Sequence, residues 1–189
     1  GMEGIAGKHQ FDLDDSTTMH VNGGGFWIKE DSGNDDISLW GVQGYLAHKL
    51  ESGDKLTAGV SYYDYGNMKG NTLSGFTAKG NSTTGGAYDN DYNILEGFGE
   101  YAFSLDTVPM SVYGTYVNNA AADTKEDTAW IIGTKYNKAK APGTWEVSYD
   151  YRDIESDAVV GGLNDSDFVN GGTNGKGHKL GYKYQMSKN

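Results

Sequence analysis

Glu146, Asp150 and Arg152 alternate along one short stretch with Trp145, Val147, Tyr149 and Tyr151. Glu96, Glu100, Lys135, Lys179 and Lys183 stand elsewhere in similar settings, each with an apolar or aromatic residue one place away. Acids and bases spaced in this way suit electrostatic work rather than bond-making. The field of such charges is strongest where water is confined, because it is poorly screened there. Nothing in the chain organises a reaction. His9, His20, His48 and His178 are scattered, without the i, i+4 or i, i+2 pairing of a metal site, and there is no nucleophile elbow and no cysteine. A Ser, His and acid set assembled across strands is compatible with the sequence, but no spacing points to one. The expectation is no catalytic residue, no metal and no cofactor.

Two motifs imitate better-known sites. Gly97-Phe98-Gly99-Glu100-Tyr101-Ala102 matches the dinucleotide fingerprint in letters, yet it falls within a strand pattern with no helix after it. Asp89, Asp91 and Asn93 with Glu100 imitate a calcium loop, but Ile94 stands where the obligatory glycine belongs. Asp31, Asp35 and Asp36, or Asp165 and Asp167, are acidic enough for loose calcium binding. A solvated acidic turn is the ordinary explanation.

The elements that carry these residues read as strands. Residues 129–155 form strand, short turn, strand: Trp130, Ile132 and Tyr136 share one face, as do Trp145, Val147, Tyr149 and Tyr151, with the charges on the other. Period-2 runs recur at about 17–30, 38–50, 55–65, 92–105, 110–118 and 177–186, for about eight antiparallel strands. Residues 1–16 are weakly patterned, and 12–15 reads as loop. The connections at 51–54, 106–109 and 138–143 are short, whereas 66–91, 119–127 and 155–176 are longer. In a meander, alternate connections lie at opposite ends, so one rim is tight and the other elaborated. Residues 66–91 are too polar to bury by this reading.

Composition agrees with a wall rather than a thick core. There are 29 Gly and 14 Tyr, only 37% hydrophobic residues, and a mean hydropathy of −0.62. Aromatic residues in period-2 runs argue against disorder. The net charge of −11, with a single arginine, argues against a nucleic-acid partner. No run approaches a membrane-spanning helix, which leaves a closed barrel open as a way to cross lipid. On the residues alone two orientations stand: the polar parity faces an aqueous lumen, or it faces bulk water while the aromatic parity turns inward.

The segment from Leu105 onward, VPMSVYGTYVNNAAADTKEDTAWIIGTKYNKAKAPGTWEVSYDYRDIESDAVVGGLNDSDF followed by GGTNGKGHKLGYKY, resembles the C-terminal part of the outer-membrane porins of Gram-negative bacteria. KLTAGVSYYDY and YNILEGFGEY fit the same pattern, so the resemblance runs from about Ser38. It implies an all-β antiparallel up-and-down meander forming a β-barrel or part of one, as a single domain over 1–189. Family members are longer, so the chain is expected to be the C-terminal portion of a porin, with its leader removed or outside it. The implied function is passive diffusion of small polar or ionic solutes across the bacterial outer membrane, with no reaction catalysed. Glu96, Glu100, Lys135, Glu146, Asp150, Arg152, Lys179 and Lys183 are then expected to line the pore. Trp130, Tyr136, Trp145, Val147, Tyr149, Tyr151, Tyr182 and Tyr184 are expected to meet lipid or form interfacial girdles, with Tyr62, Tyr63 and Tyr65 as further girdle candidates. Expected partners are outer-membrane lipid and the solutes, with a homo-oligomer compatible, and the carboxylate excess favours mild cation preference. The rival reading is a soluble or surface-displayed β-barrel that binds, for example, carbohydrate.

Overall fold

The computed structural model describes residues 3–29, 36–73, 75–164, 167–168 and 171–187. Its main feature is one nine-stranded antiparallel sheet. The strands are β1 (Glu3–Asp12), β2 (Thr17–Lys29), β3 (Ile37–Lys49), β4 (Lys55–Gly66), β7 (Tyr92–Leu105), β8 (Val108–Asn119), β9 (Thr128–Asn137), β10 (Trp145–Ile154) and β11 (Gly175–Tyr184). Each pairs with the next in this order, as a meander must. The short β5 (Thr83–Thr84) and β6 (Ala87–Tyr88) form a separate hairpin between β4 and β7.

Alternating apolar and polar residues explain most of these strands. β1 is the exception, an additional strand within 1–16, where the sequence pattern is weak. Ile5, His9 and Phe11 alternate with Ala6, Lys8 and Gln10, but Gly4 and Gly7 dilute the signal and all ten residues are exposed. A continuous register with β2, from Glu3 opposite Trp27 to Asp12 opposite Thr18, carries the strand instead of its own hydrophobicity.

The two rims differ as the connection lengths imply. At one rim the chain turns at 13–16, 50–54, 106–107 and 138–144. Asp106 and Thr107 take φ of 53° and 96°, the double positive φ of a two-residue hairpin whose twist matches its strands. The turn is therefore tighter than 106–109, and Pro109 already lies in β8 opposite Ser104. At the other rim lie the connection before β3, most of which is outside the described residues, and 67–91, 120–127 and 155–174.

The buried core is not between two sheets. Its strand members are Ile37, Tyr65, Tyr92, Ile94, Val117, Ala129 and Ile154, all on the parity that carries Glu96 and Asp150. Met68, Leu73 and Tyr88 come down on them from 67–91, and Ala158, Val160 and Phe168 from 155–174. The long connections thus fold back over one end of the polar face. Each fully buried aliphatic there, such as Ile37 or Met68, contributes about 1.5–3 kcal/mol. The expectation that 66–91 is too polar to bury fails for this reason: a few widely spaced apolar residues suffice when amide side chains satisfy the backbone around them.

Candidate functional site

Residues directly opposite in an antiparallel pair share a face, so the register sorts the whole sheet. Glu146 opposes Lys183, Asp150 opposes Lys179 and Gly133, and Arg152 opposes Gly177. Lys135 opposes Ser111, Tyr113 links Gly133 to Glu100, and Ser61 opposes Glu96. The eight charged residues singled out by sequence therefore lie on one face. The same pairings put Trp130, Tyr136, Trp145, Val147, Tyr149, Tyr151, Tyr182 and Tyr184 on the other. Tyr62 joins them, but Tyr63 and Tyr65 belong to the polar face.

From β7 to β11 the polar face is held by paired charges. The carboxylate of Asp150 is buried and accepts from Arg152 Nε at 2.5 Å, from Arg152 Nη2 at 3.2 Å and from the Tyr113 hydroxyl at 3.2 Å. Lys135 lies 4.9 Å over the Tyr113 ring and reaches Glu100 at 3.5 Å, so one chain of contacts spans β7 to β10. Arg152 also sits 5.4 Å from the ring of Phe168, which ties the cluster to the folded-back connection. Lys183 pairs with Glu146 at 3.3 Å and Lys179 with Asp167 at 3.7 Å. From β2 to β7 the same face is joined by neutral side chains that lead to the Glu96 carboxylate, with Lys49 and Lys55 opposite each other on it near the tight rim. Asn22 donates to Gln43 at 3.0 Å, Gln43 to Ser61 at 3.1 Å, and Ser61 to Glu96 at 2.7 Å.

The folded-back connections are locked by two buried polar residues. Asp157 accepts from Ser82 N at 3.0 Å, Ser82 Oγ at 2.6 Å and the Tyr92 hydroxyl at 3.0 Å. Asn81 donates to the carbonyls of Ser156 and Val159 and accepts from Gly161 N at 2.7 Å. An exposed pair, Lys69 with Asp123, joins 67–91 to 120–127. Their hydrogen bond holds the Asp123 carboxyl below its ordinary range and the Lys69 ammonium above its own. At the tight rim, the Ser16 backbone N–H lowers Asp14 to about 2, and the Tyr101 hydroxyl lowers Asp54.

The opposite face is bare and apolar. Leu180 is 76% exposed, Tyr182 66%, Val60 62% and Ile132 60%. Its aromatic residues gather in two bands. Toward the long-connection rim they are Trp27, Trp40, Tyr62, Tyr116, Trp130 and Tyr151, with ring contacts between Trp27 and Trp40 and between Trp130 and Tyr151. Toward the tight rim they are Phe11, Tyr101, Phe103, Tyr136, Trp145 and Tyr184, with Tyr136 against Trp145. Aliphatic residues and glycine fill the interval, among them Val42, Gly44, Val60, Gly97, Val112, Gly114 and Ile132. Along β10, Trp145 and Tyr151 lie about 20 Å apart, with Val147 and Tyr149 between them on the same face. The first band steps progressively across the register from Trp27 on β2 to Tyr151 on β10, and the second from Tyr101 on β7 to Tyr184 on β11, as a level belt does on tilted strands.

Sequence reasoning missed the polar residues that organise this site besides the charged candidates: Asn22, Ser61, Tyr113, Asn81 and Asp157. Parity would have placed the first three on the correct face. No sequence signal marks Asn81 or Asp157, whose side-chain hydrogen bonds reach 65 or more positions away. The acidic candidates Asp31, Asp35 and Asp165 lie outside the described residues.

An all-β antiparallel meander with one bare apolar face and one polar, loop-covered face defines the class of this protein. Residues 97–189, just under half of the chain, match the family described as Putative porin. No curated protein and no solved structure matches the chain.

Proposed function

We propose that the chain forms all or part of an outer-membrane β-barrel through which small polar or ionic solutes diffuse, without catalysis. In this reading the apolar face meets lipid and the polar face borders water. The observation that carries it is the division of the two faces. Large apolar residues stand open on one side in aromatic and aliphatic bands, while the connections fold onto the other. Water-filled barrels carry an apolar outer belt flanked by aromatic girdles, together with short turns at one rim and long loops at the other. The porin family match over 97–189 points to the same compartment and to a non-enzymatic role. A soluble barrel with the aromatic parity inward would need the opposite arrangement of loops and bare residues.

The charge layout refines the selectivity. On the strands, Lys135, Arg152 and Lys183 are each matched by a carboxylate, so the field over β7 to β11 largely cancels. Acidic residues crowd the long connections instead, including Asp89, Asp91, Asp123, Glu126, Asp127 and Glu155. Mild cation preference therefore arises at that mouth. Planar-bilayer recordings of the 189-residue chain test the proposal. Ion-conducting steps are expected, with a reversal potential that moves toward anions when Glu100→Lys and Glu146→Lys are combined. A monodisperse, detergent-free protein that never conducts would sink the channel reading, and an unmoved reversal potential would sink the assignment of those two residues to the lumen.

A further inference from the structure

We infer that the polar face between β1 and β4 holds a binding trough for a neutral, ring-shaped polyhydroxy solute of one or two pyranose units. This deepens the channel reading and rests on it. Ala6, Gly24 and Gly41 oppose one another on three neighbouring strands, so nothing larger than a methyl group rises from the sheet along that row. Tyr63 follows in the same row on β4 and closes its end. Its ring leans over Gly41: a methyl group added there would come within 2.9 Å of Tyr63 Cδ1. The resulting groove has a volume of about 500 Å³.

The walls of the trough differ in chemistry. The next residues of the same parity on one side are Lys8, Asn22 and Gln43, and on the other side Phe26 and Leu39. The backbone of each wall lies about 7 Å from the floor row along the strands, and the Phe26 ring leans in over Gly24, where an added methyl group would come within 3.2 Å of its Cε2. A pyranose ring presents the matching surfaces, a C–H face for aromatic and glycine contacts and a rim of hydroxyls that both donate and accept. Side-chain amides answer that rim because they also do both. The chain from Asn22 through Gln43 to Ser61 uses one N–H of each amide and orients the second group before any solute arrives. Ligand binding then costs little ordering of these side chains. Among the lining residues Lys8 alone is charged, so an ionic solute gains less here than beside Asp150 and Arg152.

Maltohexaose added to planar-bilayer recordings of the 189-residue chain is the test. Concentration-dependent interruptions of the current are expected, and replacing both Asn22→Leu and Gln43→Leu should weaken the sugar by about tenfold or more. A conducting channel that ignores the sugar overturns the trough and leaves the channel standing. Interruptions that persist unchanged in the double variant overturn it equally. Should no channel form, the channel reading fails on its own, and calorimetric titration of the detergent-solubilised chain with maltohexaose decides the trough. Binding heat that the double variant loses supports it, and absence of heat overturns it.

Discussion

From β2 to β7 the polar face is joined by Asn22, Gln43 and Ser61, uncharged side chains beside a glycine floor. From β7 to β11 it is joined by Glu100, Lys135, Tyr113, Asp150 and Arg152, where every base has an acid within reach. Both halves follow the same strand parity, so parity alone does not determine the field above a sheet. In the charged half, Asp150 and Arg152 are mostly withdrawn from water, and their pairing offsets part of the cost of burying each charge. In the neutral half, a missing hydrogen bond is replaced by water at modest cost. The glycines sharpen the contrast. At Gly24 and Gly41 the neutral half brings the apolar rings of Phe26 and Tyr63 close over the backbone, whereas at Gly133 it is the Tyr113 hydroxyl end and the Asp150 stem that take the place of a side chain.

Three measurements would break or sharpen this contrast. Asp150→Ala should be the most damaging, because it removes the buried carboxylate that accepts from both Arg152 and the Tyr113 hydroxyl; a loss of about 3–5 kcal/mol is expected in urea titration of the chain folded in detergent. A loss near that of an ordinary surface change would mean that the two halves do not differ energetically. Gln43→Leu, read in the same titration, should cost only about 1 kcal/mol, since the amide is half-buried and its neighbours can turn to water.

The smallest effect belongs to the exposed pair of Lys69 and Asp123. Asp123 is lowered from 3.8 and Lys69 raised from 10.5, so their contribution is complete between those values. It fades as pH falls through the lowered carboxyl value or rises through the raised ammonium value. Proteolytic cleavage within 67–91 should therefore be steady across neutral pH and quicken at both extremes. Added salt should quicken it at neutral pH as well. A response to acid that survives Asp123→Asn would assign the effect to another group.

Much of this architecture is legible in the residues. The hairpin of β9 and β10 is readable because Trp145, Val147, Tyr149 and Tyr151 alternate with Glu146, Asp150 and Arg152. The eight charged candidates share a face for the same reason, and the alternation of short and long connections already separates two rims. β1 is not legible, since glycine and histidine blur its alternation and its evidence is the partner strand. The folded-back connections are not legible either. Asp157 looks like any acidic loop residue until Ser82 and Tyr92 are brought to it from 75 and 65 positions away.

Alternation along extended strands is enough to reveal two faces and, outside β1, which residues share each. It could not determine which face the loops would cover. Only the tertiary structure decided that, by bringing Met68, Leu73, Val160 and Phe168 down on Tyr92, Ile94 and Ile154. Those contacts join distant segments, and burying them on the polar face leaves the aromatic face bare.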